Sequence, residues 1–252
     1  MKRIITTVVF VLVALAIVAI IIVGVSLGQI VKKGVESYGP ELTKTTVTLD
    51  AVHLSLLTGS AKVTGLIVGN PSGYNAPHSI AVGTIAVGLD PTTVLANKIV
   101  VRSIRLEAPD ITFEGGLQGN NLSQILDNVD STGQSSPTLS TNTAVQPKSE
   151  KKYEVDDLVV SGAKVEVILT NPVQRQINLT LPDIHLTDLG KGGEGITAAD
   201  LTRRTLSAIT TATIEEVAKE AMNLDQNAAT LKQAGQSAGK QIEKSIGNLL
   251  NK

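Results

Sequence analysis

The residues of this chain whose types could carry out acid–base or metal chemistry are three histidines, His53, His78 and His185, and one acidic run, Glu107, Asp110 and Glu114. Metal sites draw their ligands in closely spaced pairs. The three histidines fall in separate segments with no such pairing, and they read as surface or edge residues. Two facing carboxylates would suit glycosidic acid–base chemistry, but this acidic run reads as the solvated edge of a strand pair. The chain has no cysteine, which removes disulfides, thiolate–zinc sites and thiolate nucleophiles. It also lacks a Gly-x-Ser-x-Gly elbow. Gly190-Lys191-Gly192-Gly193-Glu194-Gly195 matches Gly-x-Gly-x-x-Gly. A dinucleotide site needs a further parallel strand with an acidic residue after that turn. Here the pattern that follows is helical to Lys252, so the run reads as a glycine hinge. The expectation is a protein that is not an enzyme, with no catalytic residue, no metal and no cofactor.

Composition narrows the partners. The net charge is −1, with Lys and Arg spread along the chain, so nothing marks a nucleic-acid surface. Aromatic residues are limited to Phe10, Tyr38, Tyr74, Phe113 and Tyr153, too few for base or sugar stacking. The chain relies instead on Val, Ile, Leu and Thr, which favour strands. Two Asn-x-Ser/Thr patterns, at Asn121 and Asn178, are incidental in this reading.

The elements that must position any site begin with Ile4–Leu27, an uncharged, proline-free and almost wholly aliphatic run. As a helix rising about 1.5 Å per residue it is ~36 Å long, enough to cross a bilayer. A cleaved signal peptide has a shorter apolar core ending in a small-x-small site; Gly24–Gly28 matches this poorly, so residues 1–30 read as an uncleaved anchor. Residues 31–190 read as a β-rich domain and 191–252 as the glycine hinge followed by amphipathic helices.

Gly34–Lys44 reads as a linker or short helix ended by Gly39-Pro40. In Thr45–Leu57 the apolar phase switches between Val47/Leu49 and Val52/Leu54/Leu56, which suggests a bulge near Asp50. Strands are expected at Ala61–Val68, Ser79–Leu89, Ile99–Leu106, Asp110–Glu114, Tyr153–Val160, Ala163–Thr170 and Gln174–Leu186. Asp90-Pro91 suits the start of one helical turn, and Asn120 or Asn121 caps a helix with Leu122, Ile125, Leu126 and Val129 on one face. Ser131–Ser149 is polar and reads as a disordered insertion. Thr197 and Asp200 have capping-box spacing. Gly59-Ser60-Ala61-Lys62-Val63 leading to Asn70-Pro71 is echoed by Ser161-Gly162-Ala163-Lys164-Val165 leading to Asn171-Pro172, as if one unit were repeated.

After an amino-terminal apolar helix, the order of motifs Val47-x-Leu49-x-x-Val52-x-Leu54, Gly65-Leu66-x-Val68-x-Asn70-Pro71-x-Gly73-Tyr74, Ile99-x-Val101-x-x-Ile104-x-Leu106-x-x-Pro109-x-Ile111-x-Phe113-Glu114 and Gly119-x-Asn121-Leu122 resembles the amino-terminal region of the AsmA-like proteins of the Gram-negative envelope. The resemblance covers about Met1 to Leu189 and brings no catalytic motif with it. It implies an α+β protein: a transmembrane helix, a curved groove- or sandwich-like antiparallel sheet with short helices, and a C-terminal helical region. It implies a single inner-membrane pass with the bulk of the chain in the periplasm, and a role in binding or transferring membrane lipid. Envelope proteins are further partners it allows. The alternatives are a non-catalytic envelope scaffold without lipid and a late-embryogenesis-abundant type β-sandwich. The candidate apolar groove comprises Leu54, Leu56, Val63, Ile85, Val87, Ile104 and Ile111.

Overall fold

The computed structural model describes residue 24 and residues 26–117, 119–133, 151–169 and 175–223. The predicted span up to residue 23, most of the polar insertion, the second Asn-Pro and the helical pattern beyond residue 223 lie outside the described residues. Among the described residues no helix is long and apolar enough to cross a membrane. The chain divides into two units, Met1–Thr213 and Ile214–Lys252. Of the second, residues 214–223 are described, as helix.

The first unit is built on one curled, mixed sheet of eleven strands. These are β1 (Val47–Thr48), β2 (Ala51–Ser55), β3 (Ser60–Val68), β4 (Ile80–Leu89), β5 (Lys98–Glu107), β6 (Asp110–Gly116), β7 (Gly119–Asn120), β8 (Lys152–Ser161), β9 (Lys164–Leu169), β10 (Arg175–Thr180) and β11 (Ile184–Leu189). Among the described residues three helices accompany it: α1 over residues 26–43, α2 (Asn121–Gly133) and α3 over residues 198–213.

Ladder register reduces ten of the eleven strands to six lines, β7 pairing with β6 alone. β1 and β2 pair with β3 in a single register, as Val47↔Val68 and Ala51↔Thr64. β5 and β6 run against β4 in one register on either side of the break, as Leu106↔Ile85 and Ile111↔Ile80, with a shift only farther out at Gly88/Leu89. β8 and β9 likewise follow β5 and β6, and β11 and β10 follow β8 and β9. The lines β1–β2, β3, β4, β5–β6, β8–β9 and β10–β11 therefore lie side by side in chain order. Four of the six are interrupted at the same level, while β3 and β4 run through it: the registers place Asp50, Gly65, Gly83, Ala108, Gly162 and Pro182 in one row.

That row is a crease across the sheet. At it the buried phase flips in every line without a residue being gained or lost. Val47 and Leu49 give way to Val52 and Leu54, Val63 to Leu66, Val82 to Ile85, Leu106 to Pro109, and Val160 to Ala163. The phase switch expected near Asp50 is present, but the expected bulge is not, because both partners flip together. Backbone conformation explains how: Gly65, Ala108 and Gly162 on the row have φ of 63°, 46° and 62°. This left-handed geometry suits glycine and strains alanine. At Gly65 a side chain would also strike the Asp50 carboxylate.

Two expectations are corrected here. The sheet is not wholly antiparallel, since β5–β6 and β8–β9 run parallel. Parallel neighbours need a long crossover, and α2 with the segment after it lies between them in sequence. The internal echo is not a repeated unit either. Gly59 turns a hairpin between β2 and β3, which pair with each other, whereas Gly162 lies on the crease within β8–β9.

α1 lies along the free edge of β1–β2. Gly24 and Gly28 bring its backbone onto the carbonyls of Leu54 and Val52, where a Cβ at Gly24 would come 2.7 Å from the Leu54 oxygen. Lys32 Nζ donates to the carbonyls of Leu49 at 2.5 Å and Asp50 at 2.8 Å, and Glu36 Oε1 accepts from Leu49 N at 3.3 Å. A covered edge is closed to further strand pairing. The final residues of the apolar run thus belong to the body. The helix also continues past Gly39-Pro40 to residue 43 instead of ending there; Lys44 N donates to the Pro40 carbonyl at 3.0 Å, which closes the last turn.

Caps settle the other helices. Asn120 Oδ1 accepts from Ser123 N at 2.8 Å, so Asn120 is the cap of α2. α2 takes in residues 131–133, which the polar composition assigned to the insertion. The capping box forms, with Asp200 N donating to Thr197 Oγ1 at 3.0 Å. Asp90 accepts from Thr92 N at 3.0 Å, but it starts a turn and not a helix.

Candidate functional site

An apolar cavity of about 570 Å³ lies between the concave side of the sheet, α1 and α3. The sheet contributes Leu66, Val82, Ile85, Ile104, Leu106 and Leu158, which come from both sides of the crease. The opposite wall is helical. α1 has two faces: Gly24, Gly28, Lys32 and Glu36 follow the sheet edge, while Val31, Val35, Tyr38 and Leu42 turn to the cavity. From α3 come Leu201, Thr205, Leu206 and Ile209. Leu42, Val129 and Ala199, joined by Leu206, form a buried cluster that ties α1, α2 and α3 together. Asn128 Nδ2 adds a 2.8 Å bond to the Thr43 carbonyl.

Among the described residues no charged side chain lines this space. The threonine hydroxyls on its wall are engaged locally: Thr202 donates to the Ala198 carbonyl and Thr205 to the Leu201 carbonyl, each at 2.9 Å, and Thr43 donates to the Gly39 carbonyl at 2.9 Å. Val31 and Tyr38 line the cavity and are also exposed, which puts its mouth beside α1. The volume falls within the ~300–1,000 Å³ usual for small-molecule sites. Chemically, such a wall suits hydrocarbon and offers little to an ionic group.

The structure divides the seven predicted groove residues. Ile85 and Ile104 line the cavity. Leu54, Val63 and Val87 are half-buried on the same half of the sheet but do not line it, and Leu56 is half-buried in the turn after β2. Ile111 is fully buried in β6, the strand against which α2 packs. Sequence reasoning missed the helical wall. Its signal was present in Val31, Val35, Tyr38 and Leu42, spaced by four, three and four, and in Leu201, Thr205 and Ile209, each four apart.

The residues first considered for chemistry do not gather in one place, and among them only His78 and Asp110 are paired. His53 and His185 are exposed on β2 and β11. His78 lies 3.6 Å from Asp110. Glu107 and Asp110 are exposed, whereas Glu114 is buried. Its carboxylate accepts from Asn75 N at 2.8 Å and from Ala76 N at 2.8 Å, closing the loop before β4 over β6. Burial, with the Glu114 charge second, raises the pKa of Tyr74 above its usual value. Asn121, also buried, donates to the carbonyl of Thr112 at 2.7 Å and to Asn70 Oδ1 at 2.8 Å, and it accepts from Glu114 N at 2.9 Å. Ser79 Oγ completes the network by donating to Asn70 Oδ1. The sequence motifs around Asn70 and Asn121 thus meet in one structural joint.

The glycine run from 190 to 195 is clasped to β8. Tyr153 N donates to the Ile196 carbonyl and Ile196 N to the Tyr153 carbonyl, both at 2.8 Å. Among the described residues no three His, Asp or Glu side chains gather as a metal-binding group. Compared with known proteins, the chain has no matching family model, no matching curated protein and no matching solved structure.

Proposed function

We propose that this chain is a membrane-anchored, non-catalytic lipid-binding protein that holds a hydrocarbon chain between its curled sheet, α1 and α3. The observation that supports this most is the uncharged aliphatic cavity of about 570 Å³ with exposed Val31 and Tyr38 at its mouth. Burying a methylene releases about 0.8 kcal/mol, so a ten-carbon segment would supply about 8 kcal/mol before the cost of ordering it. The resemblance to AsmA-like proteins is consistent with this reading. It adds an inner-membrane anchor in the part of the apolar run that precedes Gly24, a body in the periplasm and a role in envelope lipid handling. The β-rich sheet then acts as a container, and no side chain has to perform a chemical step.

The test is a native mass spectrum of the full chain extracted in mild detergent. Co-purifying lipid at close to one molecule per chain is the expected result. A protein that is folded, membrane-extracted and free of lipid would favour a scaffold without a lipid ligand.

A further inference from the structure

Two loops stand side by side at the end of the sheet where β2 meets β3. The β2–β3 hairpin carries Leu57, which is 65% exposed, and the turn between β4 and β5 carries Leu95, which is 85% exposed. Among the described residues these are the two most exposed large apolar side chains. The loops are joined: Leu89 N donates to the Gly59 carbonyl at 2.6 Å. Lys151 is fixed beside Leu95, its ammonium donating to the Leu95 carbonyl at 3.3 Å and the Ala96 carbonyl at 2.5 Å. The chain also enters α1 at this end, because Gly24 lies against the carbonyl of Leu54, three residues before Leu57. The residues just before Gly24, from Ile4, carry no charge.

We propose that this end of the sheet is a membrane-contacting surface, with Leu57 and Leu95 inserted at the boundary between headgroups and acyl chains of a bilayer. Three independent features converge on it. Paired exposed leucines supply apolar area that favours leaving water. A lysine held at the level of the loop suits an anionic phospholipid surface. The uncharged run from Ile4 reaches the body at this same end, so a bilayer that takes up that run also meets these loops. This inference rests on the anchoring part of the proposed function but is independent of what fills the cavity. The opposite end of the sheet supplies a comparison: Leu117, 48% exposed, lies in the turn between β6 and β7.

The chain has no cysteine, so Leu57→Cys, Leu95→Cys and Leu117→Cys each give a single point for a nitroxide label. The full chain carrying each label is reconstituted in vesicles of mixed zwitterionic and anionic phospholipid, and collision rates with oxygen and with a water-soluble nickel chelate are compared. At 57 and 95 oxygen collisions should exceed nickel collisions, with the ratio inverted at 117. Nickel access at 57 and 95 equal to that at 117, in protein that still floats with the vesicles, would overturn the placement and leave the anchor standing. Shielding of 57 and 95 from both reagents would point to a protein contact and overturn it equally. Failure to float with the vesicles would overturn the anchor and this surface together.

Discussion

The sheet treats two of its regions in opposite ways. Around Asn121, buried polar side chains are paired: Asn121, Ser79 and Glu114, with half-buried Asn70 and the backbone of Thr112, Asn75 and Ala76, form one network. Between the sheet, α1 and α3, the lining is mostly apolar, without a charged side chain among the described residues, and it encloses about 570 Å³. A buried polar network fixes one arrangement, because any partial break leaves unsatisfied groups in a low dielectric. An aliphatic wall has no such demand and tolerates being filled or vacant. The molecule therefore separates the joint that specifies its fold from the space available to a ligand, and the two should respond differently to mutation.

The largest expected effect is at the network. Asn121→Ala would orphan Glu114 N, deprive the Thr112 carbonyl of its side-chain donor and leave Asn70 Oδ1 with Ser79 alone, and it should lower unfolding free energy by about 3–5 kcal/mol. Urea denaturation measures this; a loss below about 1 kcal/mol would mean that the joint does not organise the fold. Next comes the edge. Gly28→Val would drive a side chain into the Val52 carbonyl and lift α1, at a cost of about 1–3 kcal/mol. The same denaturation assay tests it, and proteolysis within α1 should accelerate. At the crease the sign reverses. Ala108→Gly relieves a φ of 46° and should be neutral or stabilising by up to about 1 kcal/mol. Destabilisation by the change would show that the left-handed geometry is not what Ala108 endures.

The smallest effect concerns pH. The hydroxyl of Thr92, Arg102 and the amide of Thr92 hold the Asp90 carboxyl down at about 2, from an ordinary value of 3.8. A depressed pKa stabilises the fold above the unfolded value, and that contribution fades as pH falls from about 4 towards about 2. Asp90→Asn should flatten the stability profile across that window and leave lipid content at neutral pH unchanged. An unchanged profile would remove Asp90 as its source.

Much of the sheet was legible in the sequence because alternation survives on each side of the crease. The switch from Val47/Leu49 to Val52/Leu54 was visible, as were Asp200 opposite Thr197 and the apolar face of α2. What each segment could not reveal is that six such switches fall in one row. That fact belongs to pairing register, and a single strand with a flipped phase looks the same as a bulge. The course of α1 through Pro40 was hidden for a similar reason: local propensity favours a stop there, while the fit of Gly39 against Val47 and the bonds from Lys32 and Glu36 are tertiary. The cavity was half legible. Ile85 and Ile104 were found from strand alternation, but a wall shared between a sheet and two distant helices cannot be assigned until the helices are docked.

The apolar space between the sheet, α1 and α3, and not the paired network, is where a ligand is expected to sit. Ile85→Phe enlarges a side chain that points into that space and should change stability by less than about 1.5 kcal/mol, since there is room to receive it. Lipid content per chain, measured by native mass spectrometry on wild type and Ile85→Phe at matched folding, is the most direct test. The account predicts that the variant remains folded and loses most of its bound lipid. Equal lipid in the two proteins would contradict it and move the binding site elsewhere.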